Sequence, residues 1–174
     1  MSEPRETVRL KVCLVGAPAV GKTSLVRRYV EGKFSEDYLT TIGVRISRKR
    51  VVVDGEPVGL IVWDVNGDDA FAPLQATYLR GAAAFLLVAD GTRPVTLDRV
   101  LALRGELDEA FGHTPAVLAV NKADLETEWA VPAERTGALR AEGWDLRETS
   151  ARDGTAVEEA FEALARLALA HARG

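Results

Sequence analysis

The chain has 174 residues, 47% of them hydrophobic and 28% charged, with a formal net charge of −4. That length suits one domain with its own core, and with ample apolar content and both charge signs mixed nothing marks the chain as disordered. Mild acidity excludes bulk attraction to nucleic acid or an anionic membrane, so any bound anion must be held by a local site.

Residues 10–15 form an apolar run that predicts a strand leading into a glycine-bearing loop, and helix-type sequence follows over 22–31. Residues 44–53 and 57–64 flank Asp54-Gly55, a hairpin-turn pair, and are expected to be antiparallel neighbours. Residues 83–89 and 116–120 are compact runs of the buried-strand kind. Between them, 95–111 reads as a helix, with Val100, Leu103 and Leu107 at helical spacing and Gly112 as a stop. A further helix is expected over 132–142, then a short strand over 144–148. The last helix begins after Asp153 and carries Val157, Phe161, Leu164 and Leu167 on one face. This alternation predicts an α/β fold: a mainly parallel six-stranded sheet with one antiparallel edge strand and helices on both faces. One domain is expected over 1–174, with residues 1–7 as a flexible lead-in. In such folds ligands bind beyond the carboxyl ends of the strands.

Gly16-Ala17-Pro18-Ala19-Val20-Gly21-Lys22-Thr23 fits G-x-x-x-x-G-K-[ST] with no mismatch, between a strand and a helix. Glycines at both ends let backbone N–H groups turn inward around phosphate oxygens, and the helix start adds positive potential. Lys22 is suited to the β- and γ-phosphates and the Thr23 hydroxyl to Mg²⁺. Ala19, Val20, Gly21 and Ser24 complete the expected phosphate cradle. The motif indicates a nucleoside triphosphate but not its base.

Asn121-Lys122-Ala123-Asp124 follows directly on the run 116–120 and matches the guanine-reading pattern N-K-x-D. An ionised Asp124 can accept from the guanine N1–H and 2-amino group together, a donor pair that adenine lacks. The stem of Lys122 can lie along base and sugar, and Asn121 can brace the loop.

With these motifs the chain resembles the small GTPases of the Ras superfamily, most of all the Rab branch, over nearly its whole length. Thr149-Ser150-Ala151-Arg152 is similar to the family's third guanine loop, which implies Ser150, Ala151 and Arg152 at the base. Phe34 and Tyr38 stand where the resemblance places aromatics near the nucleotide. Thr40-Thr41-Ile42-Gly43-Val44 resembles switch I, so Thr41 would close over Mg²⁺ and the γ-phosphate. Trp63-Asp64 and Gly67 resemble switch II, with Asp64 holding Mg²⁺ and the Gly67 amide sensing the γ-phosphate. Tyr78-Leu79-Arg80-Gly81-Ala82 is similar to a Rab segment. The resemblance implies GTP and GDP as bound nucleotides, Mg²⁺ as cofactor, and an effector meeting switch I, the strands between the switches, and switch II. An exchange factor and an activating protein are implied partners; nucleic acid is not.

The chain departs from the family's D-T-A-G-Q-E, reading Asp64-Val65-Asn66-Gly67-Asp68-Asp69. Asp68 stands where Gln orients the attacking water. An ionised Asp cannot donate to the γ-phosphate, and two unit charges about 4 Å apart repel by roughly 4 kcal/mol at an effective dielectric of about 20. The expectation is slow hydrolysis, with catalytic roles for Lys22, Thr41, Gly67 and Asp68; a merely solvated Asp68 stays open beside it. Three readings follow: an enzymatic switch, a GTP-binding module with negligible turnover held in one state by Asp68, Asn66 and Pro18, and a small P-loop kinase, against which the residues 121–124 argue.

Other residues read as less informative. Arg48-Lys49-Arg50 is either a partner surface or edge-strand charge that blocks unwanted pairing. Cys13 is the one cysteine, which excludes an intramolecular disulfide and suits a reducing compartment. His113 and His171 are expected at the surface, and Trp129 and Trp144 indicate nothing about function. Met1-Ser2-Glu3-Pro4 carries no signal pattern and the final residues offer no cysteine for prenylation. A cytoplasmic chain without a membrane anchor of its own is therefore expected.

Overall fold

In the computed structural model, which describes residues 7–32, 43–65 and 73–174, the elements run β1 (Val8–Val15), α1 (Lys22–Glu31), β2 (Val44–Val53), β3 (Glu56–Val65), α2 (Pro73–Leu79), β4 (Ala84–Asp90), α3 (Pro94–Phe111), β5 (Ala116–Asn121), α4 (Ala133–Ala141), β6 (Leu146–Glu148) and α5 (Val157–Arg173). The sheet order is β2-β3-β1-β4-β5-β6. Every pairing is parallel except that of β2 with β3. The hairpin between those two turns at Asp54 and Gly55, with φ of 49° and 81°. Two successive positive φ values match the mirror-image turn that suits the twist of paired strands.

Burial follows position in the sheet. All of β4 is buried, as a central parallel strand covered on both faces must be. The β3 strand alternates buried with partly exposed residues: Val58, Leu60 and Val62 enter one core, while on the other face only its carboxyl end, Trp63 and Val65, reaches the second. On the covered face Val12, Leu14, Leu60 and Val62 pack with Leu25 of α1 and with Phe161 and Leu164 of α5. There the Tyr29 and Phe161 rings stack with centroids 4.0 Å apart. On the opposite face Phe85, Leu87 and Leu118 pack with Leu97, Val100, Leu103 and Leu107 of α3. Each such fully buried side chain contributes about 1.5–3 kcal/mol relative to exposure.

Several boundaries differ by one or two residues from the sequence reading. Pro132 precedes α4 with extended backbone (φ −64°, ψ 144°), outside the helix. β6 begins at Leu146, after Trp144. The α2 helix is a further element that the sequence did not reveal, because seven residues carry too little periodicity to read. Its Leu79 is fully buried in the second core.

Candidate functional site

The carboxyl ends of β1, β4 and β5 converge on the loop 16–21. The loop fits only because two of its positions lack a side chain. A Cβ on Gly16 would overlap the Val88 carbonyl oxygen of β4, and one on Gly21 would overlap the Asn121 amide nitrogen. Gly21 is also the N-cap of α1, with φ 103°, no side-chain cap and no acidic residue in the first turn. Gly21 thus offers the first amides of α1 no capping side chain of its own, which suits an oxyanion there. Lys22 opens the helix and is 7% exposed. Its ammonium folds back over the loop, donating to the Gly16 carbonyl at 3.0 Å and the Ala17 carbonyl at 3.2 Å. Ala19 holds φ 62°, a left-handed conformation that costs a non-glycine residue roughly 1–3 kcal/mol and so must be held by its surroundings. Val20 is fully buried beneath it, and Ser24 lies partly exposed in the first turn of α1.

Part of what holds Ala19 comes from β5. Lys122, itself at φ 74°, donates to the Ala19 carbonyl at 3.0 Å. It also pairs with Asp90 at 2.9 Å. Asn121, 2% exposed, donates to the Val20 carbonyl at 3.0 Å and accepts from the Thr149 hydroxyl at 3.1 Å. Asp124 accepts from the Ser150 hydroxyl at 2.8 Å. The loop 149–152 is in turn tied to β5 through Thr149 N–H donating to Val120 O and Ala123 N–H donating to Thr149 O, both at 2.9 Å. From α1, the Arg28 guanidinium donates to the Ala151 carbonyl at 2.8 Å and to the Arg152 carbonyl. Ala151 is buried and Arg152 is exposed. Three stretches far apart in sequence thus form one hydrogen-bonded frame.

At the end of β3, Asp64 is 1% exposed and accepts a hydrogen bond from the Thr23 hydroxyl. A hydroxyl and a carboxylate side by side are hard oxygen donors, the set that Mg²⁺ takes. The donor chemistry therefore fits Mg²⁺. Phe34, Tyr38, Thr41, Asn66, Gly67 and Asp68 lie outside the described residues.

Several framing residues escaped the sequence reading. Asp90, fully buried at the end of β4, accepts from Lys122, from Arg93 at 3.0 Å, and from the Thr92 amide and hydroxyl at 2.9 and 2.7 Å. Burial works to raise the Asp90 pKa, yet the bonds from Lys122, Thr92 and Arg93 together hold it below the ordinary carboxylate value. Arg93 continues to the Pro18 carbonyl at 3.0 Å. Trp129 lies against Gly91, where any Cβ would overlap its ring, and Ala130 N–H donates to Gly91 O at 2.8 Å. Trp129, from which the sequence indicated nothing about function, thus packs beside the site. The available signal was an aspartate closing an otherwise apolar strand, since a buried carboxylate needs partners. Arg28 carried no local signal.

A Ras family model matches residues 11–170. The chain is 36% identical over 166 residues to Ras-related protein RABA5c of Arabidopsis thaliana, covering 94% of this chain and 78% of that protein. It is 37% identical over 168 residues to GTP-binding protein yptV2 of Volvox carteri, covering 95% and 77%. It is 34% identical over 178 residues to Ras-related protein Rab-7b of Mus musculus, covering 98% and 88%. An amide-lined loop at a helix start, framed against N-K-x-D and the loop 149–152, accompanies this likeness along nearly the whole chain, which therefore belongs to the Ras superfamily of small GTPases as a Rab-like member.

Proposed function

We propose that this protein is a nucleotide-dependent switch that binds Mg²⁺·GTP and GDP and hydrolyses GTP slowly. The observation that carries the reading is the bridge made by Lys122 between the phosphate loop and the guanine loop, beside an Asp124 oriented by Ser150. Amides of residues 19–24 and the Lys22 ammonium grip the phosphates. Asp124 accepts from the guanine edge, and the Ser150–Arg152 backbone, braced by Arg28, faces the base. Held by Thr23, Asp64 and Thr41, Mg²⁺ would neutralise charge on the β- and γ-phosphates. Thr41 and Gly67 meet the γ-phosphate, and its loss releases both segments. Effectors read that difference across switch I, β2, β3 and switch II, with an exchange factor and an activating protein setting the state. We take residues 1–174 as one such domain, working in the cytoplasm.

Asp68 limits turnover because it repels the γ-phosphate and cannot donate to it. Single-turnover hydrolysis of bound GTP tests this, and Asp68→Gln is expected to be faster than the wild type. An equal or slower variant would remove Asp68 from the mechanism. The second reading, a module with negligible turnover, rests on the same substitution together with Pro18 in the phosphate loop. It predicts tight GTP binding with no phosphate release in either protein. A lack of preference for GTP over ATP in calorimetry would overturn both.

A further inference from the structure

The run Arg48-Lys49-Arg50 divides between the two faces of β2. Lys49 turns to the covered face, where its ammonium donates to the Tyr29 carbonyl at 2.6 Å, lies 3.7 Å from the Tyr29 ring centroid and meets Glu158 at 3.6 Å. Arg45, on the same side, meets Glu31 at 3.9 Å. Arg48 and Arg50 point the other way and are exposed. Across the strands both Arg50 and Arg9 pair with Gly59, so two guanidinium stems flank a position with no side chain. The result is an open hollow of about 710 Å³ floored by Gly59 and edged by Arg9, Arg48, Arg50 and Ile61. Among the described residues no carboxylate lies within ion-pair distance of Arg9, Arg48 or Arg50. In a chain of net charge −4, three cations with no ion-pair partner among the described residues form a local reversal of sign around one depression.

We infer that this hollow is a docking site for an extended acidic segment of a partner protein. Arg48 and Arg50 repeat at the two-residue spacing of a strand, about 6.6–7 Å. An extended segment lying along β2 presents alternate side chains at the same interval. Val52, 68% exposed, and Ile46, 47% exposed, continue the same face of β2 at either end and supply apolar contact. A bilayer fits less well: it meets outermost charges and not the floor of a hollow, and the net negative charge opposes approach to anionic lipid. The hollow lies at the amino end of β3, five residues from Asp64 at about 3.3 Å each. It is therefore set apart from the Asp64 end of β3, where effectors are proposed to read the nucleotide, and the same binding is expected with either nucleotide.

The test is fluorescence anisotropy with a fluorescein-labelled oligo-glutamate peptide, using protein loaded with GDP or with a non-hydrolysable GTP analogue. Arg48→Gln with Arg50→Gln is expected to weaken binding by about fivefold or more. Arg135→Gln with Arg166→Gln, an equal charge change elsewhere, is expected to leave it unchanged. Binding should fall with added salt and match in the two nucleotide states. Equal losses in both double variants, or no peptide binding by a protein that still binds nucleotide, would overturn the site alone. So would binding to phosphatidylcholine–phosphatidylserine vesicles that needs the two arginines when peptide binding does not. Failure of nucleotide binding would instead strike the switch reading and leave the peptide result legible.

Discussion

The corner around Asp90 and the outer face of the β2–β3 hairpin both carry cations, and they treat them in opposite ways. At the corner, Lys122, Arg93 and Arg28 each reach carbonyls or the Asp90 carboxylate, because charge near a buried site must be compensated. On the hairpin, Arg9, Arg48 and Arg50 stay in water with no ion pair among the described residues, at no desolvation cost. Cations of the first kind hold loops in place; cations of the second kind are available to something outside the chain.

Substitutions at four places would break or sharpen that contrast. The largest effect is expected from Asp124→Ala, which removes the acceptor for the guanine donor pair. GTP affinity should fall by about two orders of magnitude or more while ATP affinity barely changes, as competition against a fluorescent GDP analogue would show. Next comes Asp90→Ala. Breaking a fully buried pair costs about 3–5 kcal/mol, and Lys122 keeps 27% of its side chain exposed, so about 2–3 kcal/mol is expected in urea unfolding. Because the folded Asp90 pKa is depressed, its contribution is complete above the unfolded value of about 3.9 and is lost as pH falls through the lower folded value. The stability gap between wild type and Asp90→Asn should therefore close below about pH 4 and stay constant above about pH 5. A gap that persists at low pH would mean that shape, not charge, holds the corner.

Arg28→Met should cost about 1–2 kcal/mol, since it removes the bonds to the Ala151 and Arg152 carbonyls. Faster GDP release in stopped-flow should accompany the loss; slower release would detach α1 from the guanine loop. The smallest effect is expected from Arg48→Gln with Arg50→Gln, within about 0.5 kcal/mol in the same unfolding experiment. A larger loss would show that the hairpin arginines belong with the structural cations after all.

Much of the site was legible because its chemistry is local. The phosphate loop and the guanine loop are contiguous runs whose glycines, lysines and carboxylate sit at spacings set by one backbone turn. The Asp54-Gly55 hairpin was legible for the same reason: two adjacent residues specify the turn. Seven-residue α2 was not, since too few positions recur to reveal a face. Lys122 was read for its stem along the nucleotide, whereas its ammonium bridges Ala19 and Asp90, partners distant in the chain.

By itself the sequence located every strand and every helix but α2, together with the two loops proposed for phosphate and guanine, because periodicity and turn chemistry act between near neighbours. Tertiary structure alone decided which cations became supports. Asp90 acquires Lys122, Arg93 acquires the Pro18 carbonyl, and Arg28 acquires the loop 149–152, only once parallel strands bring their carboxyl ends together. It likewise decided that Lys49 finds Glu158 while its neighbours Arg48 and Arg50 do not, since adjacent residues of a strand face opposite sides of the sheet and, among the described residues, α1 and α5 lie against the side of β2 that Lys49 takes.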